Sequence, residues 1–269
     1  EDGLQLYFAD DGPAEAPPVL CLAGLTRNGD DFAYLLPHLP QYRVIRLDSR
    51  GRGRSDRASD YTSYTVLQEG RDALALMDHL GLDRVSVIGT SRGGLIAMTL
   101  AASHADRLQA VVLNDIGPVV DASGLARIMD YVGREPGLPD LETGASTLAI
   151  AHRLDFPGVP MSRWRTEAAA RWTETADGLR NRYDPALHKA LLHQAAGGTI
   201  PDLWIFFEAL RDIPTGVLRG AYSDILSEPT MAQMAARHPG LLRATVADRG
   251  HVPFLDEPAS LALIRQVLP

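Results

Sequence analysis

Short apolar runs alternate with segments of helical apolar spacing along most of this chain. The apolar runs are typical of strands buried on both faces of a parallel sheet, and they occupy residues 19–23, 43–48, 85–88, 108–114, 216–219 and 242–247. Residues 4–9 instead alternate apolar with polar side chains, as a half-exposed edge strand does. The pattern therefore predicts several strands of one sheet, most of them fully buried.

Amphipathic helices are predicted between these strands. The clearest covers residues 65–80, where Leu67, Leu74 and Leu76 fall on one face and Gly81 is a helix stop. Weaker patterns predict a helix capped by Asp30 or Asp31 and further helices at about 92–103, 202–211, 229–237 and from residue 258. Strands separated by helices form βαβ units, so the sequence predicts an α/β fold with a mostly parallel central sheet flanked by helices.

The alternation stops between about residues 119 and 201. Apolar strand patterns disappear there, and helical segments rich in alanine, arginine and aromatic residues are broken by several prolines. We therefore predict an α/β core formed by residues 1–118 and 202–269, and an inserted helical cap formed by residues 119–201.

Charge and cysteine content exclude several classes of function. The chain has 269 residues and a formal net charge of -8, which argues against nucleic acid or an anionic membrane as a partner. Without a membrane-spanning run or a signal-like N-terminus, the expected location is cytoplasmic. Cys21 is the single cysteine, so no internal disulfide is possible. No Cys/His cluster with metal-ligand spacing and no dinucleotide-binding glycine loop occurs, and we expect no metal and no cofactor.

The motif G-x-S-x-G lies at residues 89–93, between a predicted strand and a predicted helix. A nucleophile elbow needs this spacing, because only glycine lets the strand and the helix pass closely on either side of a strained serine. Such a turn would present the Ser91 hydroxyl above the edge of the sheet.

With this turn in place, the chain resembles the α/β-hydrolase superfamily over essentially its full length. The resemblance is carried by five segments in order, at residues 22–25, 48–55, 89–93, 218–224 and 248–253. They place Ser91, Asp224 and His251 in the order Ser, Asp, His that the family uses. The resemblance implies the α/β-hydrolase fold and a serine hydrolase.

The resemblance also implies a role for each candidate residue. Ser91 is expected to be the nucleophile, His251 the general base, and Asp224 the carboxylate that orients the imidazole. Asp115 is an alternative acid, because some relatives place the acid after the strand that precedes the cap. The oxyanion hole is expected at the backbone N–H groups of Leu25 and Arg92.

Arg92 is a departure from the family, in which methionine or glutamine is common after the nucleophile. Its guanidinium is expected to pair with Asp115 or another acidic group near the site, to attract a substrate carboxylate, or to lie free at the surface. One or two aromatic residues in or just after the insertion are expected to line the pocket; the candidates are Tyr131, Trp164, Trp172, Tyr183, Trp204, Phe206 and Phe207.

Three functional hypotheses follow from the resemblance. The leading one is a serine hydrolase that cleaves a carboxylic ester or lactone through an acyl-enzyme. The second is a carbon–carbon bond hydrolase acting on a meta-cleavage-type diketone acid, which uses the same triad and favours cationic pocket residues such as Arg92. The third is a ligand-binding receptor or scaffold that keeps the hydrolase fold without activity.

Overall fold

The computed structural model describes residues 2–197 and 202–269. Its strands are β1 (Phe8–Asp11), β2 (Pro18–Leu22), β3 (Arg43–Leu47), β4 (Val85–Thr90), β5 (Leu108–Asn114), β6 (Trp172–Thr175), β7 (Gly178–Asn181), β8 (Thr215–Gly220) and β9 (Leu242–Val246). Seven of them form the central sheet in the order β1-β3-β2-β4-β5-β8-β9. Only the edge strand β1 runs antiparallel to its neighbour, which confirms the predicted mostly parallel sheet.

The helices of the described residues lie between these strands, except the last, which follows β9. They are α1 (Val66–His79), α2 (Arg92–His104), α3 (Ala122–Tyr131), α4 (Leu141–Ala151), α5 (Met161–Arg171), α6 (Leu187–Ala196), α7 (Trp204–Glu208), α8 (Glu228–Arg237) and α9 (Pro258–Val267). In this part of the chain, no helix combines the length and the apolar character that crossing a membrane requires.

The helix predicted after Asp30 is replaced by two short 3-10 helices, Gly29–Phe32 and Leu36–His38. Pro37 falls inside the predicted segment, where it has no N–H to donate and its ring would clash with a carbonyl one turn earlier. The cap also differs from the prediction, because the Asn28 side chain accepts the Asp30 amide.

Alternate residues of the inner strands are buried on opposite faces of the sheet. Leu20 and Leu22 of β2 join the core beneath α1 and α2, whereas Val19 and Cys21 join the core on the other face. Cys21 is fully buried, and burial raises the pKa of its thiol. This two-sided burial is why the strands read as continuous apolar runs.

The elements α3 to α6, with the hairpin β6–β7, are inserted between β5 and β8. The hairpin was not predicted, because its first strand is largely exposed and therefore carries no apolar run. Pro201, the predicted end of the insertion, lies outside the described residues.

The carboxyl ends of the parallel strands meet at one edge of the sheet. β2 leads to Leu25, β4 to Ser91, β5 to Asp115, and the segment after β9 carries His251. Ligands of open α/β sheets bind at this edge, so the fold brings the predicted site residues towards one place.

Candidate active site

Ser91 occupies a sharp turn between β4 and α2. Its backbone has φ 51° and ψ -114°, a conformation that costs a non-glycine residue about 1–3 kcal/mol. The turn is held beside β5, because the Ser91 amide donates to the carbonyl of Asn114 at 2.9 Å. The strained strand–turn–helix geometry is the one that the motif predicts for a nucleophile elbow.

Two glycines of the motif are required by close backbone approach. A Cβ added to Gly93 would lie 2.0 Å from the Leu22 carbonyl oxygen, and one added to Gly89 would lie 2.5 Å from the Gly93 carbonyl oxygen. The first turn of α2 therefore rests directly against the end of β2, with no room for a side chain.

Gly93→Ala is expected to destabilise the fold by about 3 kcal/mol, because overpacking against backbone forces the strand and helix apart. Urea unfolding should show this loss as a lower midpoint. Gly70→Ala is the matched control, since its added Cβ would lie 3.7 Å from the nearest atom, on Leu100, and alanine is favoured inside a helix. Equal unfolding midpoints for the two variants would contradict the steric account.

Hydrogen bonds join Ser91, His251 and Asp115 in series. His251 Nε2 lies 3.0 Å from Ser91 Oγ, and His251 Nδ1 lies 2.7 Å from Asp115 Oδ2. An ionised carboxylate only accepts hydrogen bonds, so Nδ1 carries the proton and Nε2 is left to accept the serine hydroxyl. This arrangement can withdraw the proton of Ser91 as its oxygen attacks a substrate.

The Asp115 carboxylate is completely buried and receives three hydrogen bonds. The Gly220 amide donates to Oδ1 at 2.8 Å, and the Ser223 hydroxyl donates to Oδ2 at 2.6 Å beside His251. These partners satisfy a buried charge and fix the carboxylate in the orientation that meets the imidazole.

The predicted contact between Asp224 and His251 is wrong. Asp224 Oδ1 instead accepts from Arg127 at 2.8 Å, at a partly exposed position. The reason is local: Ser223 turns its hydroxyl inward to Asp115, and the next side chain on the irregular loop after β8 points away towards α3. The alternative acid, Asp115, is the carboxylate that contacts the imidazole.

The backbone amides of Leu25 and Arg92 flank the serine. A Cβ added to Gly24, next to Leu25, would lie 3.8 Å from Ser91 Cβ, and Arg92 is the first residue of α2. Within residues 2–197 and 202–269, neither amide donates a hydrogen bond to a protein acceptor. Two unpaired donors, one of them at a helix N-terminus, are therefore the candidates for the predicted oxyanion hole.

The Arg92 side chain points into the protein and binds Glu69 of α1. Its Nε donates to Oε2 at 2.7 Å and its Nη2 to Oε1 at 3.0 Å. Of the three expectations for this residue, the structure shows pairing with a nearby acid, which is Glu69 and not Asp115.

Glu69 connects both segments that carry the candidate oxyanion donors. Arg52 Nη1 also donates to Glu69 at 2.8 Å, and Arg52 Nε donates to the Leu25 carbonyl at 2.8 Å. Burial by itself would raise the pKa of Glu69, but the adjacent guanidiniums of Arg52 and Arg92 outweigh it and the pKa is lowered. One buried carboxylate thus helps to fix the peptide at Leu25 and the start of α2.

Glu69→Gln is expected to destabilise the protein by about 3 kcal/mol at neutral pH, because it leaves buried guanidiniums uncompensated. A lowered folded-state pKa contributes stability that is present above the unfolded-state pKa and is lost as pH falls through the folded value. The difference in unfolding free energy between wild type and variant should therefore shrink in acid.

Urea unfolding at neutral and acidic pH measures this difference. Glu142→Gln is the control, since Glu142 binds Arg165 at the surface and exposed pairs contribute little. A difference between wild type and Glu69→Gln that stays constant with pH would contradict the assigned role of the Glu69 charge.

A pocket of about 110 Å³ opens above Ser91 and His251. Its aromatic wall includes Phe156, Trp164 and Phe254, with the ring centroids of Phe156 and Phe254 5.3 Å apart. Tyr131 and Trp164, two of the predicted aromatic residues, line it. The other candidates contribute to packing or to a second pocket: Trp172, Tyr183, Trp204, Phe206 and Phe207.

Another part of the pocket lining, which we call the charged wall, consists of charged side chains that sequence reasoning missed. Arg27 and Asp31 come from the segment after β2, and Glu167 and Arg171 come from α5. In the described part of the chain, no group of three histidine, cysteine or acidic side chains is arranged to hold a metal ion.

Comparison with known proteins shows a match to one family model over most of the chain. The model describes the alpha/beta hydrolase fold and matches residues 17–258. A 3-hydroxybutyrate-oligomer hydrolase from Cupriavidus necator is 35% identical over 263 residues, covering 94% of this chain and 89% of that protein. The crystal structure of an alpha/beta hydrolase from Novosphingobium aromaticivorans superimposes with a TM-score of 0.91 at 40% identity, covering 99% of this chain and 94% of that one.

Proposed function

This chain belongs to the alpha/beta hydrolase family, and on that premise we propose that it is a serine hydrolase that cleaves small carboxylic esters. The observation that carries the proposal is the hydrogen-bonded series Ser91, His251 and Asp115. Ser91 is the nucleophile, His251 is the general base and then the general acid, and Asp115 holds the imidazole in the required tautomer.

Acylation is the first half of the reaction. As Ser91 Oγ bonds to the ester carbonyl carbon, its proton passes to His251 Nε2 and the carbonyl oxygen becomes an oxyanion. The N–H groups of Leu25 and Arg92 donate to that oxyanion. The intermediate then expels the alcohol, which takes the proton from His251, and the acyl group remains on Ser91.

Deacylation repeats these steps with water as the nucleophile. His251 takes a proton from water as its oxygen attacks the acyl carbon, and it returns that proton to Ser91 Oγ when the bond to serine breaks. Asp115 stays ionised throughout, and it stabilises the imidazolium that forms in both halves of the reaction.

The substrate class is proposed from the relative and from the pocket. The Cupriavidus necator relative is named for 3-hydroxybutyrate oligomers, whose units are joined by ester bonds. We propose short esters and lactones of comparable size, bound between the sheet edge and the inserted residues 119–201, which act as the cap. A pocket of about 110 Å³ supports small groups, because a cavity of about 150 Å³ accommodates benzene.

The carbon–carbon bond hydrolase alternative depended on a cationic Arg92 in the pocket, and the structure does not support that premise. The Arg92 guanidinium binds the buried Glu69, so it does not offer its charge to a substrate. The scaffold alternative is opposed by the complete hydrogen-bonded triad, since an inactive receptor has no need to preserve it.

The experiment is a substrate panel with p-nitrophenyl acetate, a small lactone, the dimer of 3-hydroxybutyrate and a vinylogous diketone acid. Acid release from the esters and the lactone, followed by titration at constant pH, is the expected result. Cleavage of the diketone acid alone would contradict the ester assignment, and no cleavage of any member would favour the scaffold.

A further inference from the structure

We infer that the charged wall of the pocket is a binding site for a carboxylate group of the substrate, with Arg171 and Arg27 as its donors. The inference rests on the proposed function and narrows it, because it selects esters that carry a free carboxylate. The observations that carry it are the placement of four charges beside the candidate nucleophile and two guanidinium nitrogens without a hydrogen-bond partner in the described part of the chain.

The wall is close to the reacting atoms. A Cβ added to Gly24 would lie 3.5 Å from Arg27 Cγ and 3.8 Å from Ser91 Cβ. The side chains of Arg27 and Ser91 therefore both lie next to Gly24. Arg27 also follows Leu25, the candidate oxyanion donor, by two positions. A group bound by this wall therefore belongs to the molecule whose ester bond lies at Ser91.

The internal pairing of the wall is uneven. Arg27 has two carboxylate partners: its Nε donates to Asp31 at 2.7 Å and its Nη2 to Glu167 at 2.8 Å. Among the described residues, Arg171 hydrogen-bonds to one carboxylate, that of Glu167 at 3.5 Å, and it shares the oxygen Oε2 of that residue with Arg27. Arg171 is therefore the cation whose charge is least compensated.

Two buried donors of these guanidiniums have no acceptor. Arg27 Nη1 and Arg171 Nε make no hydrogen bond within the described residues. A buried donor without an acceptor is costly, and arginine only donates hydrogen bonds, so a group that binds at these nitrogens must be an acceptor. Planar guanidiniums favour carboxylates, which can accept from two nitrogens at once.

The electrostatics favour an anion at the same place. Burial lowers the pKa of the Arg171 guanidinium, and the neighbouring positive charge of Arg27 lowers it further. An incoming carboxylate beside Arg171 would offset both effects. A purely apolar ester would instead leave four charged side chains facing a dry acyl or alcohol group, which is unfavourable.

The test compares esters that differ only in charge. One pair carries the charge on the acyl side. It consists of the p-nitrophenyl monoester of adipic acid and the same compound with its free carboxyl group converted to a methyl ester. The other pair carries it on the alcohol side: the acetyl ester of 3-hydroxybutyrate and the methyl ester of that compound. Wild type is expected to prefer the acid in at least one pair, by about 10- to 100-fold in kcat/KM.

Arg171→Gln is expected to reduce that acid-to-neutral ratio by about 10- to 100-fold, and Arg171→Lys, which keeps the charge, by less. Arg165→Gln is the matched control, because Arg165 lies on the same helix and binds Glu142 at the surface; its ratio should equal that of wild type. A ratio is insensitive to partial loss of folded protein, which would lower both rates equally.

Calorimetric titration of Ser91→Ala with adipate and with dimethyl adipate tests binding without catalysis, and adipate is expected to bind at least about 10-fold more tightly. Equal acid and neutral rates in both pairs, or an unchanged ratio in Arg171→Gln, would overturn the carboxylate site while leaving ester hydrolysis intact. Selective binding of adipate without hydrolysis of any ester would instead overturn the proposed function and support the site.

Discussion

Replacement of Ser91 by alanine is expected to lower kcat for ester hydrolysis by about six powers of ten. The size follows from serine hydrolases in which removal of the nucleophile or of its base costs this much. Alanine removes the only atom that forms the bond to the acyl carbon, while the pocket and the oxyanion donors remain. Stopped assays with p-nitrophenyl acetate at high enzyme concentration measure the residual rate.

Ser103→Ala is the control for this change, because Ser103 lies at the exposed end of α2 and, among the described residues, its hydroxyl bonds only to Thr99 and His104 of the same helix. Its kcat should equal that of wild type. A Ser91→Ala protein that keeps more than about a tenth of wild-type kcat would show that another group is the nucleophile.

Asp115→Asn is expected to lower kcat by about four powers of ten with the fold retained. An asparagine in this place presents an amide that stabilises the wrong imidazole tautomer and no longer balances the imidazolium. Asp224→Asn is the matched control, because it removes a carboxylate from the same edge of the sheet. That carboxylate binds Arg127 and does not contact His251.

Measuring kcat and a urea unfolding curve for both aspartate variants distinguishes Asp115 from Asp224 as the carboxylate that orients His251. Asp115→Asn should be nearly inactive and folded, and Asp224→Asn should be active. A nearly inactive Asp224→Asn beside an active Asp115→Asn would restore the acid that the sequence resemblance favoured.

The sheet and its order of elements could be predicted, because burial on both faces leaves a direct trace in the sequence. Residues 85–88 and 108–114 are continuous apolar runs, and each becomes an inner strand, β4 and β5. The turn at Ser91 could also be predicted, because Gly93 has no room for a side chain and the motif therefore needs glycine at this position. The hairpin β6–β7 was not visible in the sequence, because β6 is largely exposed and β7 is only four residues long, so neither forms a continuous apolar run.

The acid was the harder assignment, because β5 and β8 are neighbours in the sheet and both lead to an aspartate at the same edge. The sequence did contain a discriminating signal. Asp115 lies between the buried residues Leu113 and Ile116, and a carboxylate in such a segment must have buried partners. Asp224 follows Tyr222 and Ser223 in a loop where exposure is the default.

Side-chain pairing over long sequence separations could not be predicted. Arg92 binds Glu69 across 23 positions, and Arg27 binds Glu167 across 140. Each pair depends on the packing of whole helices, and the sequence around an arginine does not indicate which carboxylate it will bind. The charged wall of the pocket therefore became visible only in three dimensions.

We propose above all that His251, held by Asp115, makes the Ser91 hydroxyl a nucleophile. The most direct measurement is intact-protein and peptide mass spectrometry after reaction with a fluorophosphonate. A single phosphonyl adduct on Ser91 is expected, formed quickly in wild type and Asp224→Asn and far more slowly in Asp115→Asn. An unmodified Ser91, or an equal rate of labelling in Asp115→Asn, would contradict it.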